Sequence, residues 1–424
     1  SYPHEISGGQ KQRVIIAMAL SCNPSILIAD EPTTSLDVTV QKAIINLLKE
    51  LQQEYRMGII FISHDLTLIS EFADEIIVMY KGEIVEKGEV RNIYNSPKHP
   101  YTIGLLACKP PIDIKLKELP TRKHFIGVDE EGFVGDVVKS VKDVLQDLKI
   151  DSSEVDFRNS IIYSQNPLIE VKNLKKYYPL KNKPNHFIKA VDDVSFKIYP
   201  GETLGLVGES GCGKTTLGKT LLKLIDSSSG EIIFNDKDIS KFSAKQMRPL
   251  RKDIQIIFQD PYSSLNPKIK IGKAITEPMK VHNICENDFQ RKQEVIQLLK
   301  KVGIPKDSFN KYPHEFSGGQ RQRICIARAL ALRPKFILCD ESVSALDVSV
   351  QAEVLNLLNK LREQFGLTYL FISHDLSVVK YMSDRIIVMN EGKIVEQGLA
   401  DDIYFNPKKE YTKKLISSIP KGIS

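Results

Sequence analysis

Nine consecutive residues carry the clearest chemistry in this chain: Gly208-Glu209-Ser210-Gly211-Cys212-Gly213-Lys214-Thr215-Thr216. They fit the spacing G-x-x-x-x-G-K-[ST] of a phosphate loop. Gly208, Gly211 and Gly213 let the backbone turn tightly and approach a ligand with no Cβ in the way. Successive N–H groups then converge at a helix start, where anions bind. Lys214 would reach the β- and γ-phosphates of a nucleotide, and the Thr215 hydroxyl would hold Mg²⁺. A Gly-rich turn with a solvated lysine is the plain alternative. An apolar run at 203–207 and a helical pattern at 215–225 flank the motif and favour the loop.

Other residues could complete such a site. Asp340 ends the apolar run 336–339, so its carboxylate could reach a cation held by Thr215. The adjacent Glu341 could polarise an attacking water as a general base. Two acids ending a strand also make an ordinary turn. His374 follows the run 368–372 and could contact a γ-phosphate. A lone histidine is more often structural, but His64 repeats it in the same Phe-Ile-Ser-His-Asp setting. Gln259 closes the run 254–258 and could ligate Mg²⁺ or the water through its amide, on weaker grounds. Ser317-Gly318-Gly319-Gln320 is a second glycine-rich helix start, hence a second anion site.

The elements that must position these residues occur twice. Ser7-Gly8-Gly9-Gln10 recurs as Ser317-Gly318-Gly319-Gln320, an offset of 310. The same offset carries Asp30-Glu31 onto Asp340-Glu341, His64-Asp65 onto His374-Asp375, and Tyr101-Thr102 onto Tyr411-Thr412. A register held for about a hundred residues means duplication of a domain rather than a solenoid array. Each copy reads as α/β: short apolar strands at 25–29 and 335–339, helical spacing at 38–55 and 348–365, strands at 58–62 and 368–372, then Gly-centred hairpins at Lys81-Gly82 and Glu391-Gly392. One domain does not need two phosphate sites. The economical arrangement has each copy's Ser-Gly-Gly-Gln capping nucleotide held by the other.

Three segments are expected: 1–107, the later part of a first domain without its own phosphate loop; 108–167, a linker; and 168–424, a complete second domain. The chain starts at Ser1 within a motif, so a fragment is expected. The linker stretch 121–166 has six Lys/Arg against nine Asp/Glu, a net of −3. In it Val137, Val138, Val141, Val144, Leu145 and Leu148 share one helical face. A flexible coil of about 60 residues would span roughly 40–45 Å, enough for the copies to face each other.

Composition narrows the class. With 424 residues, 42% hydrophobic and 26% charged, the chain is an ordinary globular protein of two or three domains. A net charge of +6 does not argue for nucleic acid. Cysteines 22, 108, 212, 285, 325 and 339 form no C-x-x-C pair, so reduced thiols in a cytosolic protein are expected. No apolar run is long enough to span a bilayer, which needs roughly 20 residues. Any membrane span would come from other chains.

The run Tyr-Pro-His-Glu-Phe-Ser-Gly-Gly-Gln-Arg-Gln-Arg at 312–323 resembles the signature of ATP-binding cassette (ABC) ATPases. The phosphate loop, Gln259, Asp340-Glu341, Leu346-Asp347 and His374 follow that family's order. The closer resemblance is to the fused double-cassette ATPases of dipeptide/oligopeptide importers, carried by Phe258-Gln259-Asp260-Pro261-Tyr262-Ser263-Ser264-Leu265-Asn266-Pro267, by His99-Pro100-Tyr101-Thr102 and by Lys409-Glu410-Tyr411-Thr412. It implies a P-loop NTPase fold, with a RecA-like parallel core sheet, an antiparallel β subdomain and a helical subdomain. The second cassette would be complete and the first partial. It implies ATP and Mg²⁺ as ligands and hydrolysis of ATP to ADP and phosphate. The implied partners are integral-membrane permease subunits and, indirectly, a periplasmic or lipid-anchored substrate-binding protein, with no nucleic acid. The place of work would be the cytoplasmic face of a bacterial inner membrane. Cassettes would pair head to tail, within one molecule or with a second copy. One site would comprise the phosphate loop, Gln259, Asp340, Glu341 and His374, capped by Ser7-Gly8-Gly9-Gln10. Tyr178, ahead of Tyr177, would stack on adenine. Ser342 departs from the first copy's Pro32, and the cysteine cluster of some relatives' tails is absent. The alternatives are a soluble ABC ATPase acting on ribosomes or DNA, which the acidic linker disfavours, or a nucleotide-binding fragment without coupled turnover.

Overall fold

The computed structural model describes residues 2, 6–33, 36, 38–128, 134–137, 139–180 and 186–419. The chain forms two compact units. One takes in 1–149 with 347–352 and 414–424; the other takes in 150–346 and 353–413.

The first unit opens with α1 (Gly8–Leu20). Ser7 caps it: the Ser7 hydroxyl accepts the Gln10 N–H, and the Gln10 side chain accepts the Ser7 N–H at 2.9 Å. Next come β1 (Ile26–Asp30), α2 (Val38–Tyr55), β2 (Gly58–Ile62), α3 (Leu66–Phe72), the hairpin β3 (Glu75–Tyr80) and β4 (Glu83–Glu89), α4 (Val90–Asn95) and α5 (Pro100–Ala107). β1 and β2 pair in parallel as a two-stranded sheet. Ile16, Leu20, Ile44 and Leu48 form the core on one side of it.

The stretch expected to be a linker with one short amphipathic helix has that helix and further elements among its described residues. A hairpin of β5 (Ile126–Val128) and β6 (Val134–Val137) leads to α6 (Val141–Asp147). The amphipathic helix therefore starts later than its sequence pattern suggests. Ser140 caps it, its hydroxyl accepting the Asp143 N–H at 3.2 Å. Val137 lies in a strand instead, and Val138 lies outside the described residues. Val144 is buried with Ile103, Ala107 and Phe125.

The second unit starts with α7 (Ser152–Tyr163), a helix that sequence reasoning missed. Its Arg158 forks onto the buried Asp384 at 2.5 and 3.0 Å, and Asp384 also accepts the Thr203 N–H at 2.9 Å. There follow β7 (Ile169–Pro179), β8 (Phe187–Ile198), β9 (Thr203–Val207), α8 (Lys214–Leu221), β10 (Ser229–Phe234), β11 (Lys237–Asp238), α9 (Ala244–Met247), β12 (Ile254–Ile257), α10 (Pro261–Ser264), α11 (Ile271–Val281), α12 (Asp288–Lys301), α13 (Gly318–Leu330), β13 (Phe336–Asp340), α14 (Val348–Phe365), β14 (Thr368–Ile372), α15 (Leu376–Met382), β15 (Arg385–Asn390), β16 (Lys393–Leu399), α16 (Ala400–Phe405) and α17 (Glu410–Ser417). The main sheet has the order β12-β13-β14-β9-β15-β16, parallel except for the last pair. β9, β13 and β14 are buried at every residue, so their sequences are apolar without alternation. A separate antiparallel sheet has the order β11-β10-β7-β8. One core joins the two sheets, including Leu174, Ile198, Leu206, Leu217 and Leu338. This is the α/β architecture that the resemblance implies.

The two copies differ sharply in burial. Ile28 on β1 is 64% exposed, whereas its counterpart Leu338 on β13 is fully buried. Ile26, Ile60 and Ile62 are likewise exposed, and Phe336, Leu370 and Ile372 are buried. A two-stranded sheet with one face bare opens at low cost. The amides of β1 and β2 should therefore exchange with solvent faster than those of β13 and β14. Hydrogen-exchange mass spectrometry reads this directly, and equal protection in the two pairs would overturn it.

Candidate functional site

The expected phosphate loop lies between β9 and α8. Its shape demands glycine at two places. Gly208 has φ +151° and Gly213 has φ +107°; a Cβ on Gly208 would stand 2.1 Å from the Met389 carbonyl oxygen, and one on Gly213 would stand 2.0 Å from that of Ala190. Either substitution would push the backbone off its neighbours. Gly213 caps α8, which begins at Lys214. Lys214 is 5% exposed. Its ammonium donates to the carbonyls of Gly208 at 2.7 Å and Glu209 at 3.0 Å. The lysine folds back onto its own loop.

Above the loop is a cavity of about 530 Å³. It is lined by residues 210–216, 187–190, Glu341, Glu391 and Gly392. Ser210, Gly211, Cys212, Thr215 and Thr216 are thus brought together with Glu341. Glu209 lies at the loop's outer side, its N–H donating to the Tyr411 hydroxyl at 3.1 Å.

The acids sit in different environments although they are adjacent. Asp340 ends β13, is 6% exposed, and accepts the Thr215 hydroxyl at 3.1 Å. Burial raises its pKa, outweighing that hydrogen bond. Glu341 has φ +49°, a left-handed conformation rare for a residue with a side chain. Its N–H donates to Ile372 at 3.0 Å. That turn aims the Glu341 carboxylate elsewhere: Gln259 donates to Oε2 at 2.9 Å, and His374 Nδ1 stands 3.7 Å from the same oxygen. The facing His374 imidazole holds the Glu341 carboxyl below its usual range despite partial burial. Asp340 therefore reaches the loop through Thr215, Glu341 lines the cavity, and Gln259 and His374 reach Glu341 from beyond the ends of the two neighbouring strands; Gln259, Asp340 and His374 do not themselves line the cavity.

These residues suit a phosphoryl group with a hard divalent cation. The glycines leave a cradle that a Cβ would fill. A buried carboxylate beside a threonine hydroxyl, with an amide oxygen of Gln259 nearby in the fold, is an oxygen donor set of the kind such cations prefer. Thr215, Asp340 and Gln259 could hold it.

The two aromatic candidates behave differently. Tyr177 donates its hydroxyl to Asp192, which pushes its pKa up to about 12. Tyr178 is exposed, pairs with Ile188 across the sheet, and has the Lys176 ammonium 4.8 Å from its ring centroid. Neither lines the cavity, whereas Phe187 and Ile188 do. Sequence reasoning missed Phe187, Ile188 and Lys189, and it read Glu391-Gly392 only as a turn. The Gly392 N–H donates to the Cys212 carbonyl at 3.0 Å, so that turn supports the loop.

Ser317-Gly318-Gly319-Gln320 forms a capping box at α13 like the one at Ser7-Gly8-Gly9-Gln10. In each, the serine and glutamine satisfy one another's N–H groups. The N–H groups of Gly8 and Gly9, and of Gly318 and Gly319, are the donors of the turn that the box does not use. Ser7, Gly8, Gly9 and Gln10 belong to the first unit and all other expected site residues to the second.

The profile of the family "ABC transporter" matches residues 1–34 and 191–344. That of the "Oligopeptide/dipeptide transporter, C-terminal region" matches 85–125 and 395–422. The chain is 48% identical over 424 residues to a glutathione import ATP-binding protein, GsiA, of Salmonella paratyphi A, covering 99% of this chain and 65% of that protein. It is 46% identical over 423 residues to the protein of the same name from Pectobacterium atrosepticum, with the same two coverages. The chain thus spans just under two thirds of the length of these curated relatives. Among solved structures, the dimeric structure of MJ0796, a bacterial ABC transporter cassette, is 28% identical with a TM-score of 0.50, covering 55% of this chain and 98% of that one. The cbiO1 protein of Clostridium perfringens, part of the ABC transporter complex cbiONQ, is 27% identical with a TM-score of 0.51, covering 61% and 97%.

The Asp340 environment has a consequence for stability. Its folded pKa is raised above the ordinary 3.8, so the ionised form costs more folded than unfolded. That cost is absent below the ordinary value and is fully present once pH exceeds the raised one. Asp340→Asn keeps the shape and removes the charge. It should melt several degrees above wild type at neutral pH, with the difference shrinking as pH falls toward the ordinary aspartate range. Thermal melts across pH measure this; a lower melting temperature at neutral pH would contradict it.

Proposed function

Because the chain belongs to the ABC transporter ATP-binding proteins, in their oligopeptide/dipeptide transporter branch, we propose that it binds and hydrolyses ATP to drive peptide import through membrane permease subunits. The observation that carries this reading is the convergence of Lys214, Thr215, Asp340, Glu341 and His374 on one glycine cradle. The peptide branch rests on the two tail segments, 85–125 and 395–422. The name of the relatives makes a glutathione-like small peptide one candidate cargo.

The roles follow from the chemistry. Loop N–H groups and Lys214 bind the phosphates and offset charge in the transition state, which is where most of the acceleration of phosphoryl transfer comes from. Thr215 and Asp340, with Gln259, would hold Mg²⁺, which would neutralise phosphate charge. Glu341, kept ionised by His374, takes a proton from water as the water oxygen bonds to the γ-phosphorus and the bond to the ADP oxygen breaks. His374 orients the carboxylate and the water. Tyr178 remains the candidate for stacking on adenine from the end of β7. The Ser317–Gln320 and Ser7–Gln10 helix starts would each cap nucleotide held by another cassette. Segments 1–107 and 168–424 would be the two cassettes, with 108–167 joining them.

Among the described residues no helix is long and apolar enough to cross a membrane. Permease subunits and a substrate-binding protein would supply the span and the capture of cargo, and the chain would work at the cytoplasmic face.

Glu341→Gln removes the base and keeps the shape and the Gln259 contact. Turnover of ATP should fall by about a hundredfold or more while ATP still binds. Steady-state phosphate release with parallel nucleotide binding checks both halves. Near-normal turnover would remove Glu341 from this role.

A further inference from the structure

The tail motif Lys409-Glu410-Tyr411-Thr412, singled out by its repeat at His99-Pro100-Tyr101-Thr102, has no part in the chemistry described so far. Its position gives it one. The start of α17 is fastened to β16: the Glu396 carboxylate accepts the N–H groups of Lys408 at 2.8 Å and Lys409 at 3.2 Å. This places Tyr411, on the first turn of α17, against the outer side of the phosphate loop. There its hydroxyl accepts the Glu209 N–H at 3.1 Å.

That N–H shares a peptide plane with the Gly208 carbonyl. The plane is therefore held from both sides, by Lys214 on the Gly208 oxygen at 2.7 Å and by Tyr411 on the Glu209 nitrogen. It is also the plane most prone to rotate, because it follows a glycine at φ +151°. Neither Glu209 nor Tyr411 lines the cavity, so the Tyr411 bond holds the plane from outside the cradle.

We propose that Tyr411 is a positioning residue for the phosphate loop: its hydroxyl fixes the Gly208–Glu209 peptide plane, so that the loop keeps its nucleotide-binding shape. This rests on the nucleotide-binding reading above. The tail region that marks the peptide-transporter branch is thereby a structural part of the nucleotide site, and binding at the loop is coupled to whatever holds or moves α17.

The Tyr411 hydroxyl touches no reacting atom, so losing it should weaken nucleotide binding and leave the chemical step alone. Tyr411→Phe in the intact chain removes only the oxygen. The expected result is a rise in Kd for a fluorescent ATP analogue with Mg²⁺, and in KM for ATP, of about two- to tenfold, as for loss of one neutral hydrogen bond. The kcat should be unchanged, and the melting temperature should fall by no more than about 2–4 °C, as for one hydrogen bond. A nucleotide-free readout stands beside it: exchange of the Glu209 amide, followed by NMR, should quicken by a similar factor. Unchanged Kd and unchanged Glu209 exchange would overturn the proposal, as would a fall in melting temperature with Kd unchanged. If the wild-type chain bound no nucleotide, the ATPase reading would fail, and Glu209 exchange alone would still decide whether Tyr411 fixes the loop.

Discussion

The close approach of the loop backbone to two carbonyl oxygens is the constraint on which the rest of the second unit depends. Gly208 lies against Met389 on β15, and Gly213 against Ala190 on β8. These carbonyls belong to two different sheets, and both sheets must reach the same small volume. A short ladder brings them there: the Asp192 N–H donates to the Gly392 oxygen at 2.8 Å, and the Gly392 N–H donates to the Cys212 oxygen at 3.0 Å. A loop with no secondary structure of its own is thus pinned by strands that start before it and by a hairpin that closes about 180 residues after it. Conformational entropy, about 1–2 kcal/mol for each residue fixed, is met by the fold rather than by the ligand. Such preorganisation lets a cradle of N–H groups act electrostatically without first rearranging.

Adjacent carboxylates would normally share an environment and repel. Here a single left-handed residue separates them. The turn at Glu341 costs on the order of 1–3 kcal/mol. It is held by the Ile372 carbonyl and by Ser344, whose N–H and hydroxyl both donate to the Glu341 carbonyl. The result is one buried acid with a raised pKa beside the Thr215 hydroxyl, and one acid with a lowered pKa facing an imidazole. Opposite shifts in neighbouring acids are what a site needs if one is to meet a cation and the other a proton. The same turn occurs at Glu31, at φ +44° with its N–H on the Ile62 carbonyl. The turn therefore needs the acid and the neighbouring parallel strand, which both copies have.

What the sequence made legible follows from that locality. The helix 38–55 and the strands 58–62 and 368–372 sit at the bounds read from their patterns. Apolar runs of fully buried strands and capping serines are signals contained in a few residues. The α/β class followed from the strand and helix patterns, and the placing of Asp340, Glu341 and His374 at strand ends from the apolar runs before them; their grouping with Gln259 into one site came from the family resemblance. The less legible parts depend on distant partners. α7 is fixed by Arg158 meeting Asp384, a pair 226 residues apart. The cavity wall at Phe187 and Ile188 is formed where β8 passes the loop, and nothing in those residue types announces it. The hairpin β10–β11 went unread because Asn235-Asp236 turns are common and mark no site. The flexible-coil reading of 108–167 failed because acidic composition says nothing of Phe125 and Val144 being buried against α5.

Comparing the copies separates what a motif fixes from what its surroundings add. In the first unit His64 Nδ1 closes to 3.1 Å on the Glu31 carboxylate. In the second, the Gln259 amide takes the Glu341 oxygen at 2.9 Å, and the imidazole stands off at 3.7 Å. In the second unit that glutamine arrives from β12 at the sheet's edge. A carboxylate oxygen that accepts an amide N–H is less basic than one that does not. The basicity of Glu341 is therefore tied to the position of residues 259–266, which follow that edge strand.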